Sequence, residues 1–323
     1  MRTSAKIALA IGGVLILIGG LLFTAVMSAL NWDFTELDSE EYETTTWEIS
    51  QEFSSVSINS DTADIDLLPA EDGVCKVIAY CNVNSSFSAS VKDSVLSIDC
   101  SKSNSLTDHI TLFSLENSKL TVYLPLDTEL SLKITEDTGD ITISEYLSFE
   151  NIDIKTSTGN IENHASASGE TSIKVSTGDI TLKDISTGKI SLSATTGKIN
   201  ISNVTCSGDV KVKVNSGDSN ISVLTCKTFP TDGSTGDITL KNTIAEETCS
   251  ITRSTGDVIL KQSDASEFTI KTSTGDIYGT ILSNKIFKAD TDSGSVNVPN
   301  SAEGGKCSVT TDTGDINIAI GSK

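Results

Sequence analysis

A glycine recurs at a nearly constant interval through the C-terminal part of this chain. The steps between successive glycines are 19 or 20 residues, and the glycines stand at positions 139, 159, 178, 197, 217, 236, 256, 275, 294 and 314. Thr or Ser precedes each of them, and Asp follows seven. A unit this short cannot bury a core of its own, so the fixed period predicts a solenoid in which successive coils stack.

Apolar residues keep a fixed distance from these glycines. They occupy the second and fourth positions after a glycine, as in Ile180 and Leu182, and the seventh and fifth positions before one, as in Ile190 and Leu192. Alternation with a period of two is typical of a strand with one buried face. Each coil therefore supplies two short strands. The predicted fold is all-β, a parallel β-solenoid of about ten coils of 19–20 residues.

The run from Ile7 to Leu30 contains no charged side chain. At the α-helical rise it is long enough to cross a hydrocarbon core of roughly 30 Å. Arg2 and Lys6 precede it, so the positive-inside rule predicts a single-pass protein of the cell membrane, with the N-terminus cytoplasmic and the C-terminal domain extracellular. A cleavable signal peptide is the alternative, with Val26-Met27-Ser28 as its cleavage site.

Composition divides the chain into four segments. Residues 1–30 are the cytoplasmic tip and the transmembrane helix, 31–48 an acidic stalk, 49–130 an irregular β-rich module, and 131–323 the solenoid. Within the module, Asp61 to Leu67 resembles the later repeats, and its Ala63 lies 76 residues before Gly139, close to four periods. A degenerate start of the solenoid is therefore predicted there. The formal net charge of −21 argues against nucleic acid as a partner.

The Asp that follows the turn glycine permits two interpretations. Asp218, Asp237, Asp257 and Asp276 would stack about 5 Å apart and repel one another, and a calcium ion would relieve that repulsion. Alternatively, Gly supplies a positive φ while Asp and Thr bond to local backbone, which is ordinary turn chemistry. The Gly-Gly-x-Gly-x-Asp signature of calcium-binding repeats is absent, so the turn interpretation is favoured and no cofactor is expected. The Thr/Ser column could also present hydroxyls to a glycan.

Seven cysteines in an exported chain suggest disulfide bonds. Cys206 and Cys226 both stand nine positions after a turn glycine in adjacent coils, so stacking places their Cα atoms about 5 Å apart and predicts a bridge. Cys249 and Cys307 stand in an apolar column and are predicted to be core residues. The histidines, His109 and His164, lie in unrelated segments, which argues against a His-ligated metal site or a serine triad. No catalytic residue is predicted.

The last predicted strand is expected to leave the C-terminal end of the rod without a cap. Nine residues follow Gly314, which leaves Ile316 to Ile320 as a predicted free sheet edge. Such an edge could pair with another copy and give a homo-oligomer. Alternatively, Lys323 and local twist protect it.

The turns of the type Ser/Asp-Thr-Gly-Asp-Ile, with the strand Val122–Pro125 leading into Leu130–Ile134, resemble the putative-adhesin family of bacterial surface proteins, which includes LiaG-like proteins. The resemblance covers about residues 47–323 and implies a β-solenoid domain of unknown function in the cell envelope, with no catalytic residue to carry over. The expected function is that of a non-enzymatic, membrane-anchored cell-surface protein. Its binding surface is expected to take a glycan, the cell wall or a protein.

Two alternatives are kept. A scaffold or regulatory partner of envelope-stress machinery would act through the membrane helix or the stalk. A polysaccharide-active β-helix enzyme would use clustered Asp side chains, but such enzymes build a groove from long loops, and the constant period leaves no room for insertions.

Overall fold

The computed structural model describes residues 3–29, 31–32, 42–83, 85–101, 118–126 and 129–321. One helix, α1 (Thr3–Ala29), precedes 23 strands. Its segment Gly12–Ala29 has a mean hydropathy of 2.1 and is long and apolar enough to cross a membrane. The predicted end of this segment, Leu30, lies outside the described residues.

The strands follow one another along the rest of the chain. Their bounds are β1 (Tyr42–Ile49), β2 (Ser55–Ser60), β3 (Ala63–Pro69), β4 (Cys75–Asn82), β5 (Ser86–Lys92), β6 (Val95–Ser101), β7 (Ser118–Leu124), β8 (Leu130–Thr138), β9 (Ile141–Ile143), β10 (Ser148–Thr158), β11 (Ile161–Asn163), β12 (Ser166–Thr177), β13 (Ile180–Thr196), β14 (Ile199–Cys206), β15 (Val210–Ser216), β16 (Ser219–Thr235), β17 (Ile238–Thr255), β18 (Val258–Thr274), β19 (Ile277–Ile281), β20 (Lys285–Ser293), β21 (Val296–Asn297), β22 (Gly305–Thr313) and β23 (Ile316–Ile320). The long strands continue around a corner of the coil, so that one strand serves both sheets.

The parallel solenoid predicted from the glycine period is confirmed. Equivalent residues of successive coils pair in parallel, for example Ile180 with Ile199 and Leu182 with Ile201. The inward side chains are at most 1% exposed at these four positions, while the residues between them face outward. One hydrophobic core runs without interruption from Ile49 to Ile318. Burial of this thin core, shared between neighbouring coils, stabilises the stack.

The turn glycines are required by close stacking as well as by backbone conformation. Gly217 has a φ of +138°, which residues with a side chain rarely adopt. A Cβ built on Gly217 would lie 2.0 Å from the carbonyl oxygen of Gly197 in the coil below. The same contact repeats along the column, since each turn glycine lies on the backbone carbonyl of the neighbouring coil; for Gly139 this is Ala63, and for Gly294 it is Gly314.

A second special conformation recurs six residues after the turn glycine. Five successive coils place a residue there with φ between +49° and +58°, namely Asp184, Asn203, Val223, Asn242 and Gln262. Asn and Asp tolerate this left-handed region because their short polar side chains bond to neighbouring groups. The Nδ2 of Asn203 accordingly donates to Oδ1 of Asp184 at 2.7 Å. Val223 is β-branched, and its φ of +54° is therefore strained.

Replacing Val223 by asparagine is expected to raise the free energy of unfolding by about 1 kcal/mol. Val223 is 49% exposed, so little apolar burial is lost. Denaturant unfolding checks this, with Asn203→Val as the matched reverse change, which should destabilise. Equal stability of Val223→Asn and the unsubstituted chain would contradict the strain argument.

The solenoid begins before the first glycine turn, as predicted. β2 and β3 form a coil that pairs in parallel with β8 and β9. The backbone N–H of Asp140 donates to Oδ1 of Asp64 at 2.9 Å, although the two residues are 76 positions apart. This separation spans one layer and not the four expected, because β6 and β7 stack on the far side of β2 and β3. After β3 the chain passes through β4 and β5 and then adds β6 and β7 on one side of β2 and β3, and it reaches the layer on their other side at β8.

Aromatic side chains close the core at this end. β1, β4 and β5 pair antiparallel with their neighbours, and the ring of Trp47 on β1 lies 4.3 Å from that of Phe87 on β5. Residues 42–48 of the predicted stalk therefore belong to β1. The stalk residues 33–41 lie outside the described residues.

The coil order is also reversed at the C-terminal end, where the prediction of a free edge at Ile316–Ile320 is wrong. β23 pairs with β19 along its length and with β21 at Val296 and Asn297. β22 likewise lies between β18 and β20. The last coil in sequence is thus inserted beneath the coil that precedes it, and it gains hydrogen bonds on both sides. At this end of the stack, within the described part of the chain, the free edge belongs to β20 and β21, each with one strand partner.

An ion pair of Lys285 links the outermost coil, which contains β20, to β18 on the other side of the inserted coil. The side chain of Lys285 is 3% exposed, and its Nζ lies 2.8 Å from Oδ1 of Asp264, two layers away on β18. The same ammonium donates to the hydroxyl of Ser283. The inserted coil starts beside this ion pair at Gly305, where a Cβ would lie 1.8 Å from the carbonyl oxygen of Ser266. A buried ion pair with several hydrogen bonds holds a defined geometry.

Candidate functional site

The Asp residues after the turn glycines form a hydrogen-bonded ladder along the rod. The backbone N–H of Asp237 donates to Oδ1 of Asp218 at 3.1 Å. The N–H groups of Asp257 and Asp276 donate in the same way to Asp237 and Asp257, both at 2.8 Å. Each carboxylate therefore satisfies a backbone donor of the next coil, which offsets part of the repulsion between stacked charges.

The ladder follows the spatial order of the coils. The N–H of Asp315 donates to Asp276 at 2.8 Å, and that of Ser295 donates to Asp315 at 2.7 Å, which traces the inserted coil. The hydrogen bonds that Asp315 accepts from the N–H and the hydroxyl of Ser295 lower the pKa of its carboxyl below the ordinary value. Lys198 has no acceptor to continue the ladder, and its Nζ lies 3.8 Å from Oδ2 of Asp218 instead.

This geometry gives the Asp column a structural role that needs no metal. Asp218, Asp237, Asp257 and Asp276 each commit one oxygen to backbone. Across the described ranges, no group of three or more His, Cys, Asp or Glu side chains is arranged to hold a metal ion. The expectation of no cofactor stays a prediction, and calcium binding by the column stays the alternative to it.

The cysteines are buried free thiols in the structure. Cys249 and Cys307 are 2% and 1% exposed, so their assignment to the core is confirmed. Cys206 and Cys226 lie in the same slot of adjacent coils, on β14 and β16, at 3% and 0% exposure. Burial raises the pKa of Cys226 to about 12, with a further contribution from nearby Cys206. The bridge between them stays a prediction, since stacking brings the two thiols together without joining them.

A groove runs along one corner of the rod in two sections, lined mainly by residues seven to eleven positions after a turn glycine. We call it the corner groove. Its first section has a volume of about 630 Å³ and is lined by Leu126, Glu129, Ser148, Phe149, Ser166, Ala167, Ser168, Ser186, Thr187, Gly188, Thr205 and Ser207. Small side chains recur in these slots, which opens the corner, while Phe149 and Ala167 form an apolar floor. Hydroxyls form the walls.

The first section of the corner groove offers hydrogen-bonding groups to a ligand. Ser186 and Thr205 are exposed, and their hydroxyls make no hydrogen bond within the described part of the chain. Ser168 donates to Oε1 of Glu129 at 2.8 Å, which places a carboxylate at the rim. Among its described residues, the lining contains no Lys or Arg. The section therefore suits an uncharged, polyhydroxylated ligand better than an anion.

A second section of the same corner lies near the C-terminal end. It also has a volume of about 630 Å³, and it is lined by Ile244, Ala245, Glu246, Asp264, Ala265, Ser266, Ser283, Asn284, Lys285, Glu303, Gly304 and Gly305. Its charged residues differ from the hydroxyls of the first section. Lys285 and Asp264 neutralise each other there, which leaves the two glutamates as the free charges.

The sequence analysis did not predict two buried charged side chains, Arg253 and Glu136. Arg253 is 2% exposed, and its Nη2 donates to the hydroxyl of buried Ser219 at 2.9 Å. Its guanidinium occupies the space beside Gly233, where a Cβ would lie 1.8 Å from Nη1. Burial lowers the pKa of Arg253, while nearby carboxylates oppose that shift. Ser219 offered a signal in the sequence, since every other coil carries Ile or Val at this position, two residues after the turn glycine.

Glu136 is the second of these groups. Its side chain points into the core at 1% exposure, and Oε1 accepts a hydrogen bond from the N–H of Ala63 at 3.3 Å. Oε2 has no hydrogen-bond partner among the described residues. Burial raises the pKa of Glu136 to about 7, although hydrogen bonds lower it in part. The carboxyl therefore sits at the layer where β2 and β3 join the first glycine coil.

Comparison with known proteins gave one family and a set of solved structures. The family model described as Toastrack DUF4097 matches residues 53–213 and 207–323. A lipid-binding protein from Parabacteroides distasonis, itself named as putative, is 15% identical with a TM-score of 0.52, and a putative adhesin from Bacteroides fragilis is 15% identical with a TM-score of 0.46. Each alignment covers 87% of this chain and 98% of the other. No curated protein matches. The first of these structures supports the fold.

Proposed function

Because the chain belongs to the Toastrack DUF4097 family, we propose that it is a non-enzymatic, membrane-anchored surface protein of a bacterium that binds a neutral glycan in the corner groove. The hydroxyl-lined first section of that groove is the observation that supports this proposal most directly. Glycans present many donors and acceptors and little charge, so a wall of hydroxyls with one carboxylate and an apolar floor complements them.

The rod form supports the same proposal. Groove residues repeat at one strand spacing, about 4.8 Å, so a polymer lying along the corner would meet equivalent hydroxyls in successive coils. Anchoring through α1, with the cytoplasmic N-terminus that Arg2 and Lys6 favour, would present this corner outside the cell. A wall polymer or a host glycan then meets the groove without crossing the membrane.

Blocking the groove tests the proposal. Ser186→Trp, on β13, should reduce binding to neutral glycans at least tenfold, because the indole would fill the section between Ser166 and Thr205. The matched control is Thr195→Trp, on the same strand but outside the groove lining, which should bind like the unsubstituted chain. The measurement is binding of the detergent-solubilised full chain to an array of neutral host and cell-wall glycans, including peptidoglycan.

Three outcomes would speak against the proposal. One is the absence of binding to any glycan on the array. Another is equal binding by the two tryptophan variants, which would place the contact elsewhere. The third is recovery of shortened glycans after incubation, which would indicate an enzyme instead.

A further inference from the structure

The C-terminal end of the rod is open, whereas aromatic rings close the other end. Phe287 and Ala289 on β20 are only partly buried, while the inner residues Phe268 and Ile270 are 2% and 1% exposed. On the outer face of the same strand, Ile286 is 46% exposed. Among the described strands β20 pairs only with β22, so its other edge presents unpaired backbone N–H and C=O groups. A partly covered core and a free strand edge therefore occur together.

The exposed charges of β20 are complementary to themselves. Lys288 and Asp290 flank Ala289 and point to the same outer face. In an antiparallel pair of two β20 strands centred on Ala289, Lys288 of each copy lies opposite Asp290 of the other. The same register sets Phe287 opposite Thr291 on the inner face. Charges on an edge strand discourage pairing with unrelated strands, but in this register they attract.

We propose that two copies of this chain associate end to end through β20, in an antiparallel pair centred on Ala289. The pairing satisfies the free edge, covers the partly buried Phe287 and Ala289, and forms two ion pairs. It has the two-fold symmetry of an isologous interface. The partner is a second copy because the charge pattern matches its own reverse.

The direction of the contact follows from the topology. β1, which follows the membrane helix in sequence, lies at the opposite end of the stack from β20. Two rods joined at their C-terminal ends therefore carry their helices at the two far ends, and the contact joins two membranes. This second step rests on the membrane anchoring proposed above, whereas the pairing of β20 does not.

Charge exchange tests the pairing and its register. Lys288→Asp and Asp290→Lys each place like charges opposite one another, so each should weaken self-association about tenfold. The double variant K288D/D290K restores opposite charges and should associate within about threefold of the unsubstituted chain. An equimolar mixture of the two single variants should recover in the same way. Both positions are exposed, so unchanged melting temperatures are expected and confirm intact folding.

Sedimentation of the detergent-solubilised full chain measures the association, and any contribution from α1 is common to all variants. The proposal is overturned if the unsubstituted chain stays monomeric up to its solubility limit. It is also overturned if Lys288→Asp associates as well as the unsubstituted chain, or if the double variant fails to recover. Ser186→Trp should leave association unchanged, which separates this interface from the corner groove.

Vesicles test the second step. Neutral phosphatidylcholine vesicles that carry the full chain should aggregate, as measured by light scattering, and Lys288→Asp should abolish most of that aggregation. Association in detergent without aggregation of vesicles would contradict the proposed anchoring and leave the β20 pairing supported.

Discussion

Replacing Gly217 by alanine is expected to lower the free energy of unfolding by about 4 kcal/mol, the largest effect we expect from any single methyl group in this chain. The new Cβ would lie 2.0 Å from the carbonyl oxygen of Gly197 and 2.7 Å from its carbon. Both contacts are with backbone, so no side chain can rotate away. Relief requires the coils of Gly197 and Gly217 to separate, which would break hydrogen bonds between them such as that from the N–H of Gly197 to the carbonyl oxygen of Ser216, now 3.0 Å long.

The matched control is Gly73→Ala. Gly73 has a φ of +72°, and a Cβ there would meet nothing within 4 Å. This variant isolates the backbone strain of a positive φ and should cost only about 1 kcal/mol. Denaturant unfolding of both variants, followed by circular dichroism, makes the comparison. If Gly217→Ala were no less stable than Gly73→Ala, stacking contacts would not be the reason for the glycine column.

Replacing Glu136 by glutamine is expected to raise the free energy of unfolding by up to about 3 kcal/mol above pH 7 and to change it little near pH 4. Burial raises the pKa of Glu136 from 4.5 to about 7 in the folded chain. The folded state therefore keeps this proton between pH 4.5 and 7, whereas the unfolded state releases it. Stability from this group is complete below the unfolded value and is lost as the pH rises through the folded value.

Glutamine removes that loss because it carries no charge at any of these pH values. Its side-chain oxygen can still accept the hydrogen bond from Ala63, which the carboxylate now receives at 3.3 Å. Urea unfolding of both proteins from pH 4 to pH 8 should give curves that converge at low pH and diverge above pH 5. Parallel curves over the whole range would show that Glu136 is solvated in the folded state.

Much of the fold could be predicted because stacking imposes the same period of 19 or 20 residues on the turn glycines, the inward strand residues and the core cysteines. Gly217, the inward Ile201 and the core Cys249 were each assigned from their distance to a turn glycine, and the structure confirms each place. Side chains that depart from the repeat pattern were harder to predict from the sequence. Buried Arg253 depends on Gly233 and Ser219, which lie 20 and 34 residues away, and only the folded stack shows that they enclose one guanidinium.

The corner groove and the free edge depended still more on tertiary structure. Small residues such as Ser186 and Gly188 recur at the corner, but their sequence pattern is that of any turn, so nothing marked a groove until the coils were stacked. The edge was placed on β23 from its position at the end of the chain. In the structure it belongs to β20, the origin of the self-association proposed above.

The sequence by itself determined which residues share a column, because a coil of 19 or 20 residues returns each side chain to the same corner or sheet. It did not determine which coil lies beside which. Any two coils with this pattern can stack, since their ladders and apolar faces are alike, and order in the chain is only the simplest choice. The tertiary structure inserts β2 and β3 at one end and β22 and β23 at the other. The physical reason is that an inserted coil is hydrogen-bonded on both sides, and only the complete stack shows where the chain can double back to reach such a place.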